Sequence, residues 1–336
     1  MRVMSGPHLA LEVSKAGGLG FIGPGVKPDD TNADLATVRE LLGRTSVNNP
    51  VIHFSFDETL PIGVGFQLWN GDIEVAVRAV DQYRPCAAWL FAPSKGQPEL
   101  DEWTTRLRQA SPRIQIWVQI GTVAEAVECV QSRARPEVLV VQGAEAGGHG
   151  RKDGLGIMSL LPEVHDAVRE SGMSLIAAGG IADGRGVAAA LALGASGVAM
   201  GTRFLASTEA RITKGYRDEV VRARDGAHCT TRTMLYNQLR GTTGWPEQYS
   251  PRGIINQSWH DFQAGVEFDE LKRLHDEAER SGDQGWGPEG RLATYAGAAV
   301  GLVHSVKDAG DLVEEIRTEA RDILRRLGNI YSNGQW

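Results

Sequence analysis

Apolar positions in the first two-thirds of the chain fall into short runs separated by amphipathic stretches. Val138-Leu139-Val140-Val141 and Leu175-Ile176-Ala177-Ala178 are apolar at every position, the signature of strands buried on both faces of a parallel sheet. The pattern predicts strands at Arg2–Met4, Leu19–Ile22, Ile62–Phe66, Ala87–Phe91, Ile114–Ile120, Val138–Val141, Ser174–Ala178 and Gly197–Met200. Between them it predicts helices at Leu9–Ala16, Ala33–Leu42, Ile73–Tyr83, Glu99–Arg108, Val123–Ser132, Leu160–Ser171 and Arg185–Leu193. Eight strands, each followed by a helix or a helix start, is the α/β pattern of a (β/α)8 TIM barrel. An open doubly wound sheet shows the same alternation, so the strand count alone does not fix closure.

After Leu205 the rhythm changes. Residues 207–290 are polar and rich in turn residues and aromatics, with Trp245-Pro246, Trp259 and Gly285-Trp286-Gly287-Pro288. One amphipathic helix is predicted at Phe268–Arg280, and two more at Arg291–His304 and Leu312–Leu327. This divides the chain into a barrel, residues 1–206 with about 291–336, and a smaller, mainly helical cap of about 207–290 inserted after strand eight.

Composition sharpens the picture at one point. Glycine makes up 41 of 336 residues, well above the usual roughly 7%. The glycines cluster beside apolar runs, at 17–20, 147–150 and 179–180, where something must approach the backbone closely. A net charge of −7 gives no electrostatic reason for a nucleic-acid or anionic-membrane partner. Three separated cysteines, Cys86, Cys129 and Cys229, form no C-x-x-C pair and point to a reducing compartment. No apolar run reaches the ~18 residues of a membrane span, so a cytoplasmic enzyme is expected. Nothing in the chain specifies an oligomeric state.

The chemistry concentrates at strand ends. Predicted strand seven runs into Gly179-Gly180-Ile181-Ala182-Asp183, and strand eight into Gly201-Thr202-Arg203. In barrels those two loops, with a nearby helix N-terminus, commonly hold a phosphate on bare amides. Thr202 adds a hydroxyl and Arg203 a charge. At the end of the sixth strand, Gln142-Gly143-Ala144-Glu145-Ala146-Gly147-Gly148-His149-Gly150 sets a histidine on a flexible loop at the catalytic face, where it is able to accept a proton or steady an anion. Gly18-Leu19-Gly20-Phe21-Ile22-Gly23 spells G-x-G-x-x-G, but Pro24-Gly25 follows in place of a helix, which removes the dinucleotide reading. No metal site is expected, because His260-Asp261 and His228-Cys229 are adjacent pairs unable to face one ion from regular structure.

Four stretches together resemble the nitronate monooxygenase (2-nitropropane dioxygenase) family: Val13-Ser14-Lys15-Ala16-Gly17-Gly18-Leu19-Gly20, the 142–149 segment, Ala177-Ala178-Gly179-Gly180-Ile181-Ala182-Asp183-Gly184-Arg185-Gly186, and Gly197-Val198-Ala199-Met200-Gly201-Thr202-Arg203-Phe204. Tyr295-Ala296-Gly297 is similar to a later family block. The resemblance implies FMN at the barrel mouth, its phosphate on Gly179, Gly180, Gly201 and Thr202, with Met4, Gln119, Gly147 and Gly148 beside the flavin. It implies His149 as the catalytic histidine, either as an imidazolium holding the nitronate or as a base removing the α-proton of a nitroalkane. The substrates implied are an alkyl nitronate and O2, the products a carbonyl compound and nitrite. Trp245, Tyr249 and Arg252 are the candidates to line the substrate pocket. Gly65 and Ala298 depart from the family pattern, standing where many relatives have asparagine and glutamine. An FMN-dependent NAD(P)H:quinone or enoyl-thioester reductase on the same barrel is the alternative, and a non-catalytic flavin-binding relative the second.

Overall fold

A computed structural model defines the structure for residues 2–44 and 59–332. Ten strands are present among them: β1 Phe21–Ile22, β2 Leu60–Gln67, β3 Pro85–Phe91, β4 Gln115–Ile120, β5 Val138–Gln142, β6 Gly148–Arg151, β7 Ser174–Ala178, β8 Gly197–Ala199, β9 Thr230–Arg232 and β10 Tyr249–Ile254. The helices are α1 Pro7–Lys15, α2 Asp30–Arg44, α3 Ile73–Tyr83, α4 Gln97–Ala110, α5 Val123–Gln131, α6 Ile157–Val168, α7 Gly184–Ala192 and the short α8 Thr202–Leu205. After these come α9 Lys214–Arg222, α10 Gly226–Cys229, α11 Leu235–Leu239, α12 Gln257–Gln263, α13 Phe268–Arg280 and α14 Ala309–Ser332.

Seven strands form one parallel sheet in the order β1-β2-β3-β4-β5-β7-β8. Sequence order equals spatial order, as right-handed βαβ crossovers dictate, and the sheet curls into a half-barrel. The first strand expected, at Arg2–Met4, is instead a 3-10 turn. The segment that follows it is fastened at the β1 edge: Gly23 N donates to Ser5 O at 2.9 Å and Ser5 Oγ to Phe21 O at 2.5 Å. The helix expected at Arg291–His304 is also absent. That stretch is extended, with a single 3-10 turn at Ala298–Leu302, because its glycines at 297 and 301 pack against neighbouring backbone and leave helical dihedrals unfavoured.

Inward-pointing side chains fill the curl. Phe21, Trp89 and Trp117 meet edge to face or tilted, with centroids 5.2 and 5.0 Å from Phe21, and pack on Val138, Val140 and Ala178. Gly63 makes room for them, since a Cβ there would lie 2.2 Å from the Phe21 ring. The helices are stopped and started by side chains the sequence supplies. Asp72 accepts from Glu74 N and Val75 N at the start of α3, and Thr122 with Glu125 forms a capping box on α5. Long α14 closes the outer layer against α7 and α1. Among the described residues no helix is long and apolar enough to cross a membrane.

The segment read as mainly helical holds α9–α13 but also two strands. Here β9 and β10 pair antiparallel and take in β6 from the barrel loop, giving a small sheet β6-β10-β9. The loop carrying His149 is thereby a strand of that second sheet.

Candidate active site

His149 lies opposite Pro251 in the β6–β10 pair, and Arg252 opposite both Gly148 and Arg232. Side chains alternate across a strand, so His149, Arg151, Tyr249 and Thr231 share one face, while Arg252, Arg232 and Ser250 point from the other. On the first face the His149 ring stacks on Trp245, centroids 3.6 Å apart and planes 4° from parallel. Trp245 packs on Trp69 at 5.4 Å and on Tyr249 at 6.1 Å. Trp69 follows the C-terminal end of β2, so this aromatic wall ties the 207–290 segment to the C-terminal edge of the parallel sheet. The pocket candidates Trp245 and Tyr249 therefore adjoin His149. Burial pushes the Tyr249 hydroxyl well above its ordinary pKa, with the Glu125 charge adding to the effect.

Arg252 does something else. Its Nε donates to Ala144 O at 3.3 Å and its Nη1 to Thr230 Oγ1 at 3.1 Å. Arg232 lies beside it, donating to Ala144 O at 3.0 Å, Ala146 O at 3.3 Å and Ser250 O. The two guanidinium groups satisfy the carbonyls of the glycine-rich loop and hold it down. Burial, with the neighbouring Arg252 charge, lowers the Arg232 pKa to about 10. Sequence reasoning missed Arg232, since nothing in a β-rich polar stretch marks which arginine turns inward.

His149 is fixed by a second contact that the sequence did not reveal. Asn237 on α11, 1% exposed, places Nδ2 2.8 Å from His149 Nε2, and its Oδ1 accepts from the Tyr295 hydroxyl at 2.8 Å. Tyr295 lies in the stretch matched as a family block, with its ring centroid 5.9 Å from that of His149. Its carbonyl accepts from Tyr216 OH at 2.9 Å, and Tyr216 OH also meets Met4 Sδ at 3.6 Å. Met4 is thus joined to the site through two tyrosines. Gln119 Nε2 donates to Gln142 Oε1 at 3.1 Å, and Gln142 Nε2 reaches His149 O at 3.3 Å, so the ends of β4 and β5 share one network with β6.

The loop after β8 meets the histidine loop through Gly297, whose amide donates to Thr202 Oγ1 at 2.9 Å and whose backbone abuts Gly147, while the loop after β7 packs on the same histidine loop, Gly179 against Ala146 and Gly180 against Glu145. Gly179 (φ +97°) and Gly180 (φ +75°) both adopt the left-handed conformation, which L side chains resist. Among the described residues the amides of Gly180, Gly201 and Thr202 have no acceptor. A Cβ at Gly201 would meet nothing within 4 Å, so that strand end faces open space. Such an amide-and-hydroxyl cradle fits an anion.

Two parts of the phosphate expectation do not hold. The start of α7 is already occupied: Asp183 accepts from Arg185 N at 3.0 Å and Gly186 N at 3.3 Å, and Glu319 from Gly184 N at 2.8 Å. Arg203 is 7% exposed and turns away, donating to Ser305 O at 2.9 Å. The glycines of the 147–148 pair also differ in purpose. A Cβ at Gly147 would lie 2.4 Å from Gly297 N, whereas Gly148 (φ +67°) has no neighbour within 4 Å. Gly148 alone borders open space.

The model for nitronate monooxygenases matches residues 101–319. The chain belongs to the nitronate monooxygenase family. It is 63% identical over 325 residues to nitronate monooxygenase npaC of Metarhizium robertsii, covering 96% of this chain and 90% of that protein. It is 34% identical to a nitronate monooxygenase of Neurospora crassa, covering 97% of this chain and 89% of that one. Among solved structures it superposes on FabK from Thermotoga maritima with a TM-score of 0.72 and 26% identity, covering 97% and 92% of the two chains. Nitroalkane oxidase from Streptomyces ansochromogenes shares the fold, with a TM-score of 0.72 at 23% identity and coverage of 97% and 94%. As a nitronate monooxygenase family member the chain is an oxidoreductase of flavoprotein type.

Proposed function

We propose that the chain is an FMN-dependent nitronate monooxygenase, converting an alkyl nitronate and O2 to a carbonyl compound and nitrite. One observation carries the reading. His149, clamped by Trp245 and Asn237, stands next to open-faced Gly148 on a loop that packs on the Gly179-Gly180 turn after β7 and on Gly297, whose amide donates to Thr202 beside the free amides after β8. The FMN phosphate would rest on Gly180, Gly201 and Thr202, with Gly179 shaping the turn. Gln119, Met4 and Gly148 would border the ring. When bound, the flavin supplies one-electron chemistry that a polypeptide lacks.

The chain's own residues supply position and charge. Imidazole at His149 faces the substrate from the cap sheet, and the wall of Trp69, Trp245 and Tyr249 excludes water from one side of it. Residues 207–290, as a cap over the mouth, are where substrate selection would reside. The three cysteines are free, in keeping with a cytoplasmic location.

The test is anaerobic mixing of the purified yellow protein with an alkyl nitronate, NADH or NADPH while the flavin absorbance is followed. Bleaching by the nitronate, with carbonyl compound and nitrite formed on admitting O2, is the expected result. Bleaching by a pyridine nucleotide alone would make the protein a reductase, and a colourless protein that takes up no FMN would defeat both readings.

A further inference from the structure

Two half-buried arginines stand behind the glycine-rich loop with no carboxylate bonded to either. Arg232 on β9 and Arg252 on β10 are directly opposite in the small sheet and point from the same face. Among the described residues neither forms an ion pair; their bonds go to carbonyls and to the Thr230 hydroxyl. The acidic group that acts on Arg252 is Glu145, and both oxygens of that carboxylate are engaged by Ile157 N at 3.1 Å, at the start of α6. Burial lowers both guanidinium pKa values, that of Arg232 to about 10, which still leaves it charged at neutral pH. Like charges side by side in a partly dry place are costly unless negative charge comes to meet them.

The pair faces the ends of β4 and β5. A Cβ on Gly150 would lie 3.4 Å from Arg232 Nη2 and 2.9 Å from Gln142 Oε1, so guanidinium and amide meet over a residue that has no side chain. Gln142 Oε1 in turn accepts from Gln119 Nε2 at 3.1 Å. Arg232 also holds the carbonyls of Ala144 and Ala146, which lead into Gly147 and Gly148. Arg252 lies opposite Gly148 in the β6–β10 pair. Gln119, Met4 and Gly148 border the flavin ring in the function proposed above, on which this inference rests, and none of the three carries a charge.

We propose that Arg232 and Arg252 supply the fixed positive charge behind the flavin ring, acting across the Gln142–Gln119 pair and the loop backbone, and so make the ring a better electron acceptor. They are positioning residues, since neither is set against the ring itself. In the proposed reaction the nitronate loses an electron and the ring gains it, together with its negative charge. A cation held nearby favours the ring after that transfer over the ring before it. The Arg232 guanidinium is kept in place by the carbonyls of Ala144, Ala146, Gly150 and Ser250, so its charge is fixed before substrate arrives.

The midpoint potential of the flavin in the FMN-loaded protein, read by equilibration with a reference dye, separates charge from scaffold. Arg232→Gln and Arg252→Gln each remove one charge. At a fixed potential each should shift the ratio of reduced to oxidised flavin about tenfold or more toward the oxidised form, about 30 mV for a two-electron couple. Arg252→Lys keeps the charge but loses the planar fork, and should stay within about threefold of the parent. The differences should persist at high salt, which screens exposed charges far more than buried ones. Arg252 makes fewer bonds than Arg232, so its variants keep the test open if Arg232→Gln does not fold.

A pair that serves only as scaffold would weaken FMN binding or lower the unfolding midpoint in the lysine and glutamine variants alike, with the potential unmoved. That result overturns the proposal, as does a potential that rises when a charge is removed. A parent protein that takes up no flavin defeats the proposed function, and this inference with it. A parent that holds flavin but is reduced only by a pyridine nucleotide defeats the proposed substrate alone, and the same potentials still decide the part of the arginines.

Discussion

His149 and Trp245 stack face to face in nearly parallel planes, 3.6 Å between centroids, across the junction of the glycine-rich loop and the 207–290 segment. Trp245 is in turn seated against Trp69, and the neighbouring Gly244 leaves room for the Trp69 indole, 2.9 Å from where a Cβ would lie. Such ring pairs contribute about 0.5–1.5 kcal/mol beyond their burial. Trp245→Ala should therefore lower kcat/KM by up to about tenfold through a loosened imidazole, with flavin content unchanged, and Trp245→Phe should recover most of the loss. Steady-state kinetics beside the flavin spectrum check this. Loss of flavin in the alanine variant would show that the wall serves the cofactor and not the histidine.

Gly147 and Gly148 are neighbours with different reasons to be glycine. Alanine at 147 drives a methyl into the Gly297 backbone, which cannot yield without breaking the Gly297–Thr202 bond. Gly147→Ala should cost about 2 kcal/mol or more in urea unfolding, as overpacking does. Gly148→Ala meets no atom and pays only for its positive φ, roughly 1 kcal/mol. Its larger effect should be on flavin binding, seen as a weaker Kd in a fluorescence titration. Equal stability losses in the two variants would contradict this division.

Much of the sheet was legible in the sequence, because a buried parallel strand must be apolar throughout and its turn must carry glycine. Val138–Gln142 and Ser174–Ala178 follow directly, and Ile73–Tyr83 and Phe268–Arg280 form the helices that their periodicity predicts. Arg2–Met4 misled because so short a stretch, with only Val3 and Met4 apolar, reads equally well as a strand or a turn, and only the β1 edge decides. Residues 291–304 misled because their apolar spacing reflects packing of an extended segment against the loop at 145–147, with Ala298 N bonded to Glu145 O at 2.8 Å. His149, Trp245 and Tyr249 were singled out from residue type and place, and the structure sets them side by side. Asn237 was not, since an asparagine on a five-residue helix carries no signal until the fold of the β6-β10-β9 sheet and α11 brings it to the imidazole. Among the histidines, His53 lies outside the described residues.

Thr202 connects two functions through one oxygen. Its Oγ1 accepts from Gly297 N, which leaves its own proton to donate into the space beside the Gly201 amide. A hydroxyl donating to a charged phosphate contributes about 1.5–3 kcal/mol, so Thr202→Val should weaken FMN binding by roughly 10- to 100-fold. Thr202→Ser should bind nearly as the parent does. Equilibrium dialysis against FMN and against riboflavin separates the outcomes: the valine penalty should vanish with riboflavin, which has no phosphate. A penalty equal for both ligands would place the phosphate elsewhere.

Asp183 caps α7 and is itself held by Arg185, with Nη2 of that arginine 2.5 Å from its Oδ2. Burial alone would raise the carboxyl pKa, but the Arg185 side chain and the Gly186 and Arg185 amides outweigh it and hold the carboxyl below its ordinary range. A carboxyl depressed in the folded state stabilises the fold at pH values above its unfolded pKa of about 3.9. That stabilisation is lost as the pH falls through the lower folded value. Asp183→Asn keeps a side-chain acceptor for the helix amides but has no charge to titrate. It should change stability little at neutral pH, by about 1 kcal/mol or less, and should flatten the decline of stability on the acid side. Asp183→Ala should cost about 1 kcal/mol at neutral pH through the lost cap. Urea unfolding from neutral pH down through the carboxylate range measures both. An asparagine variant with the same acid-side slope as the parent would mean that Asp183 takes up no proton in that range, and that its hold on α7 is purely one of hydrogen bonding.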